Sequence, residues 1–375
     1  MEDLICTNCH RPFPESGVPY RCPACGGIYD FTSLPSFDPA RLEADLPGIW
    51  RYRHTFGLPE NSPVVSLGEG NTPLVWDALS GQNVAFKLEY LNPTGSFKDR
   101  GSAVLVSFLK SRGVESAVED SSGNAGASFA AYAARSGLQA RVFVPDYASG
   151  PKRDQIKAYG AELTRILGPR SNTAEAVRRA ADNGAVYASH AYLPHGLLGF
   201  ATVAYELVQQ IGRDPSMVIV PVGQGSLLLG MARGFASLKK TGVISRLPRF
   251  VGVQARACAP LWALFAYGPA GLGWVAEGET AAEGIRIRYP VHGDAVFKIV
   301  EESEGLFIAV DEDEIITGQQ SMARRGFYIE PTSAVVFPAL NKVLGKVPGP
   351  IVVVLTGSGY KSIQRMHKSD RSELR

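Results

Sequence analysis

Lys98 is the residue with the clearest chemical potential in this chain. It lies in Asn92-Pro93-Thr94-Gly95-Ser96-Phe97-Lys98-Asp99-Arg100. Asn-Pro and Gly95 bias the backbone towards a turn. Apolar residues then recur at Ala103, Val104, Val106, Phe108 and Leu109, as on a helix with one buried face. The pattern predicts Lys98 in the first helical turn, with Ser96 as N-cap and Asp99 reaching back as its acidic partner. There the positive end of the helix dipole disfavours an ammonium. Only the neutral amine attacks an aldehyde, so the position suits a Schiff-base lysine. An isolated lysine at a helix start is more often simply solvated, and the rest of the chain has to decide.

A second group is Cys6, Cys9, Cys22 and Cys25, two Cys-x-x-Cys pairs separated by 12 residues. Four thiolates so spaced can surround a structural zinc, and Gly17, Pro19, Pro23, Gly26 and Gly27 suit the turns of a zinc ribbon. A redox pair would need a neighbouring βαβ pattern, which is missing; a metal-free knuckle is the plain alternative. A four-cysteine site has no open position, so its role is structural. Cys258 stands alone among apolar residues and reads as a buried thiol.

Three glycine loops follow apolar runs. Ser121-Ser122-Gly123-Asn124-Ala125-Gly126 precedes an alanine-rich helix, where Asn124 and the hydroxyls can bond a ligand. Pro221-Val222-Gly223-Gln224-Gly225-Ser226-Leu227 can cradle a phosphate on its N–H groups. Leu355-Thr356-Gly357-Ser358-Gly359 can offer a hydroxyl to a ring nitrogen. Any one alone is more often just a tight connection. The Gly223 loop lacks the third glycine of a dinucleotide fingerprint and the Gly-Lys-Ser/Thr of a P-loop.

The elements that must position these residues read as α/β. Short apolar runs at 140–145, 218–222, 250–253 and 351–355 suit buried parallel strands. They alternate with helical stretches at 128–135, 173–181 and 199–210. This predicts open parallel sheets, with ligands at the carboxyl ends of the strands. Pro35, Pro39 and Pro47 mark a linker, giving a ribbon over 1–34 and a catalytic domain over 35–375, with a smaller subdomain inserted at about 107–191. With 375 residues, 45% hydrophobic content and a net charge of +2, nothing favours nucleic acid or a membrane surface as partner. No apolar run of about 18 residues suggests a membrane span. The opening Met-Glu-Asp lacks a basic and then apolar leader, so the expectation is a cytoplasmic protein.

Taken in order, these loops resemble the pyridoxal-phosphate enzymes of fold type II, and the threonine synthase family in particular. Gly68-Glu69-Gly70-Asn71-Thr72-Pro73-Leu74 is similar to a Gly-Glu-Gly-x-Thr-Pro-Leu segment of that family. So are the segment from Asn92 to Gly101, Ser122-Gly123-Asn124, Glu330-Pro331-Thr332-Ser333-Ala334 and Leu355 to Gly359. Some members also carry a four-cysteine ribbon. The resemblance implies two subdomains of open parallel sheets behind the ribbon, pyridoxal 5'-phosphate and structural zinc as cofactors, and a homodimer. It implies that Lys98 forms the Schiff base and shuttles protons, and that Asn124 bonds the cofactor's phenolic oxygen. Backbone groups of Gly223, Gln224, Gly225, Ser226 and Leu227 would hold its phosphate, and Thr356 its ring nitrogen. The implied substrate is a small phosphorylated amino acid, O-phosphohomoserine, converted with water to threonine and phosphate.

The departures bear on substrate. Ala125 replaces a hydroxyl residue, Gly223-Gln224-Gly225-Ser226-Leu227 differs from the family's Gly-Asn-Ala-Gly-Asn, and no arginine occurs in the stretch from His190 to Leu198. A phosphate dianion favours such a bidentate donor. Lys152, Arg153, His190, His195, Arg286 and Arg288 are the candidate replacements, each with a plain surface or capping reading beside it. A threonine or serine dehydratase and a β-replacing synthase of the cysteine or cysteate type are the alternatives. A zinc-ribbon binding protein on an inactive scaffold is the remaining one.

Overall fold

The computed structural model describes residues 4–146, 150–168 and 170–362. The strands are β1 (Leu4–Cys6), β2 (Tyr29–Phe31), β3 (Leu74–Leu79), β4 (Gln82–Lys87), β5 (Ser116–Glu119), β6 (Gln139–Pro145), β7 (Glu162–Ile166), β8 (Met217–Pro221), β9 (Arg249–Ala255), β10 (Leu306–Val310) and β11 (Ile351–Val354). The helices that matter for the site are α1 (Lys98–Ser111), α2 (Asn124–Ser136), α3 (Pro151–Ala158), α4 (Arg170–Asp182), α5 (His195–Ile211) and α6 (Ser226–Lys240). The chain divides into two compact units. One comprises Met1–Gly70, Asn92–Thr94 and Lys98–Thr202; the other comprises Asn71–Leu91, Gly95–Phe97 and Val203–Arg375.

The first unit holds a parallel sheet in the order β5-β6-β7. Val142, Phe143 and Val144 of β6 are buried, and α4 packs against that strand. The β1–β2 pair is antiparallel, with Leu4 opposite Phe31. It belongs to a small cysteine-bearing lobe that rests on α1. Phe13 meets Phe108 edge-on at 6.1 Å, and Arg112 Nη2 donates to the carbonyls of Pro14 and Gly17 at 2.8 and 3.0 Å.

The second unit holds a six-stranded sheet in the order β10-β9-β8-β11-β4-β3. Its first five strands are parallel. All of β8, Met-Val-Ile-Val-Pro, is buried, as a strand covered on both faces requires. The sheet is mixed, not wholly parallel, because β3 runs antiparallel to β4. The cause is local: Ser80 and Gly81 both take positive φ, 49° and 77°, which closes a two-residue hairpin. Among the described residues, no helix is long and apolar enough to cross a membrane.

Candidate active site

Lys98 is the first residue of α1. Ser96 does not cap that helix: its Oγ is buried and has no partner among the described residues. Asp99 instead accepts from Thr94 N at 2.7 Å and Thr94 Oγ1 at 2.6 Å. Gly95, at φ +85°, turns the chain so that Thr94 comes back over the helix start. Arg100 is fully buried and donates to Thr202 Oγ1 at 2.9 Å. The two residues after the lysine therefore fix its helix.

Glycine allows the next contact. A Cβ on Gly101 would fall 2.5 Å from Phe200 Cζ, and one on Gly199 would fall 2.1 Å from the Arg100 carbonyl oxygen. The Phe200 ring thus reaches Lys98, whose Nζ stands 5.7 Å from the ring centroid. Burial lowers the lysine amine to about 8, opposed by the charge of Glu119.

Glu119 was not singled out from the sequence. It ends β5, is 3% exposed and accepts a hydrogen bond from Ser121 N. Burial, then the adjoining Asp120, raise its carboxyl to about 8. Asp120 itself is satisfied, by Tyr187 OH at 2.6 Å and Arg170 Nη2 at 2.8 Å. The available signal was two adjacent acids between a strand and a glycine loop. In that loop a Cβ on Gly126 would lie 1.9 Å from the Ser121 carbonyl oxygen, so only glycine permits the turn. Asn124 opens α2 directly after it.

The second unit gathers the remaining motifs at one end of its sheet. Thr356 follows β11 and the Gly223 loop follows β8, and these two strands are hydrogen-bonded neighbours. Thr356 O accepts from Phe97 N at 3.0 Å, and Ser96 bridges Gly357. Thr356 N donates to Ser333 Oγ at 2.9 Å, and Glu330 N to Gly357 O at 3.0 Å, which explains the Glu-Pro-Thr-Ser-Ala segment. Gly284 N donates to Thr332 Oγ1 at 3.1 Å. A Cβ on Gly223 would stand 3.0 Å from Ile285 Cα, so the 284–287 segment closes over the loop. Gly225 has φ +86° just before α6, and Gln224 Oε1 accepts from Val291 N at 2.9 Å. The hydroxyls of Ser226 and Thr356 are buried without partners among the described residues.

The Gly-Glu-Gly-x-Thr-Pro-Leu segment is structural on both sides. Glu69 accepts from Trp50 Nε1 at 2.9 Å and Tyr132 OH at 2.7 Å. In the second unit the buried pair Lys87–Glu206, at 2.8 Å, holds the Thr72 carbonyl and Asn71 N.

The four cysteine sulfurs lie within 4.8 Å of one another. Cys6–Cys25 and Cys9–Cys22 are 3.5 and 3.6 Å apart, too long for disulfides. Tetrahedral zinc with bonds of about 2.3 Å places sulfurs roughly 3.8 Å apart, so the cluster could hold a metal. Of the basic candidates, His195 stacks on Phe108 at 3.6 Å and meets Phe31 edge-on at 5.2 Å. Burial pushes it down to about 3, and it is part of an aromatic core. Arg286 donates to the Glu277 carbonyl at 2.6 Å, and Arg288 lies over the Tyr289 ring. Lys152 and Arg153 lie in the first turn of α3. Cys258 is buried, as expected.

A buried lysine at a helix start with its pKa lowered to about 8, and glycine loops after parallel strands, suit an enzyme that works through a bound aldehyde cofactor. The chain belongs to the pyridoxal-phosphate dependent enzyme family, whose profile matches residues 65–357. Its relatives include threonine synthases that it matches over most of their length. The protein of Methanocaldococcus jannaschii is 33% identical, covering 95% of this chain and 92% of its own. That of Synechocystis sp. is 36% identical, covering 88% of each. A solved threonine deaminase shares the fold, with 26% identity, a TM-score of 0.64, and 76% and 92% of the two chains covered. These relatives support a threonine synthase-like, pyridoxal-phosphate dependent enzyme of fold type II.

Proposed function

We propose that this enzyme converts O-phosphohomoserine and water to threonine and phosphate, with pyridoxal phosphate anchored on Lys98. The observation that carries the cofactor assignment to particular residues is the pair of buried, unpartnered hydroxyls of Ser226 and Thr356 at one sheet end. Buried hydroxyls normally find partners, and this cofactor offers both a phosphate and a ring nitrogen. The loop suits the phosphate too: Gly225, at φ +86°, turns the chain directly into α6, whose first N–H groups would be available to an anion. Lys98 supplies the amine for the aldehyde.

When bound, the cofactor supplies an electron sink for charge developing on substrate carbon. The protein's own groups do the rest. Lys98 Nζ carries protons to and from the substrate's Cα and Cβ. Thr356 Oγ1 meets the ring nitrogen with a neutral group, which does not impose protonation. Asn124 donates to the phenolic oxygen. Ser226 and the N–H groups of Gly223 to Leu227 hold the phosphate. In the same reading Cys6, Cys9, Cys22 and Cys25 carry a structural zinc with no open position.

With an amine pKa of about 8, roughly one Lys98 in ten is neutral at pH 7, against about one in 3,000 for an ordinary lysine. Cofactor-free protein is therefore expected to capture added pyridoxal phosphate at a rate that climbs through about pH 8 and levels off by about pH 9. Stopped-flow absorbance measures this. A rate still rising steeply beyond about pH 10 would mean that the amine is unshifted.

Substrate profiling tests the reaction. Phosphate release from O-phosphohomoserine is expected, with little 2-oxo acid from threonine or serine. Oxo acid without phosphate release would move the assignment to a dehydratase, a reading that the arginine-free segment from His190 to Leu198 favours.

A further inference from the structure

Resting on the phosphorylated-substrate reading above, we propose that His190 receives the substrate's phosphate group and so determines specificity in place of an arginine. The imidazole is 4% exposed, yet neither Nδ1 nor Nε2 has a partner among the described residues. Buried polar groups left unpaired are costly, and they persist where a ligand or water completes them. His190 meets Phe200 edge-on at 6.0 Å, and Lys98 Nζ stands 5.7 Å from the same ring centroid. One aromatic ring thus sets the histidine and the lysine in a common neighbourhood of the first unit. A Cβ on Gly196 would stand 2.9 Å from His190 Cβ, so the glycine makes room for this side chain.

The chemistry of the ring suits a phosphate monoester. Burial, and then the charge of Lys98, hold the imidazole well below its usual pKa. A neutral imidazole has one N–H donor and one acceptor nitrogen. A phosphate monoester offers acceptor oxygens and, as a monoanion, an O–H. His195 also has no partner for its nitrogens among the described residues, but Phe108 and Phe31 clasp its ring. Among the other basic candidates, Arg286 is bonded to a carbonyl and Arg288 lies over a tyrosine ring.

The test uses the holoenzyme with inorganic phosphate and, separately, with homoserine, which lacks the phosphate. Calorimetric titration compares the wild type with His190→Leu and His190→Gln. His190→Leu is expected to weaken phosphate binding by about tenfold or more, while homoserine changes by less than about twofold. His190→Gln keeps one donor and one acceptor and should retain most of the phosphate affinity. Unchanged phosphate binding in His190→Leu would overturn the proposal. So would loss of phosphate and homoserine affinity together, which indicates a merely structural role. The reaction assignment fails separately: wild type that binds phosphate through His190 but releases none from O-phosphohomoserine contradicts only that assignment. Wild type that turns the substrate over, with His190→Leu showing the same KM, removes only His190.

Discussion

Replacing Lys98 with alanine is expected to lower phosphate release from O-phosphohomoserine by at least about 10³-fold, since acid–base catalysis alone contributes 10²–10⁴. It also removes the amine that holds the cofactor. Borohydride treatment of the wild type should fix pyridoxal phosphate on the peptide containing Lys98, and the variant should lose this label. Peptide mass spectrometry reads both results. The fold should survive the change, because Lys98 is not what secures the helix start. Asp99 bonds Thr94 and Arg100 bonds Thr202. A folded variant with wild-type turnover would remove Lys98 from the chemistry; a label on another lysine would relocate the anchor.

The second large effect concerns the cysteine lobe. Purified protein should carry one zinc per chain, and Cys22→Ser should lower the melting temperature by about 10 °C or more. Structural zinc contributes about 10–16 kcal/mol in isolated fingers, and a loss of even half of that displaces a melting transition by about this amount. The effect should spread beyond the lobe. Phe13 covers Phe108 of α1, Phe31 covers His195, Arg112 of α1 bonds the lobe's carbonyls, and Tyr20 packs on Tyr187 at 5.4 Å. Since α1 begins with Lys98, loosening this packing should also weaken cofactor retention. Mass spectrometry for metal, and thermal scans with and without chelator, decide the matter. Metal-free protein whose melting is indifferent to Cys22→Ser would sink the prediction.

Much of this was legible in the sequence because the signals were local. The runs at 140–145, 218–222, 250–253 and 351–355 each fall on a strand, since uninterrupted apolar character marks burial on both faces. Lys98 stands at a helix start because Asn-Pro and Gly95 impose the turn. What escaped depended on distance or on a single dihedral angle. Ser96 leaves the start of α1 uncapped and Asp99 bonds Thr94 instead, a turn-back that the positive φ at Gly95 allows and composition does not disclose. The antiparallel β3 followed from Ser80 and Gly81 in the same way. Glu119 looked like any acid near a loop; its burial is built by a neighbourhood that includes Arg170 and Tyr187, far along the chain. The Lys87–Glu206 pair spans 119 positions, beyond any local pattern.

The contact of α1 with the start of α5 has an evolutionary corollary. Gly101 and Gly199 each face atoms that leave no room for even a methyl group, and Gly196 is held nearly as tightly by His190. A side chain at Gly199 would run into the Arg100 backbone and one at Gly101 into the Phe200 ring, so the packing behind Lys98 depends on both glycines. The segment from His190 to Pro194 precedes that helix and contains no glycine. A change of substrate preference is therefore easier to build into those few positions than into the glycine contacts behind the anchor.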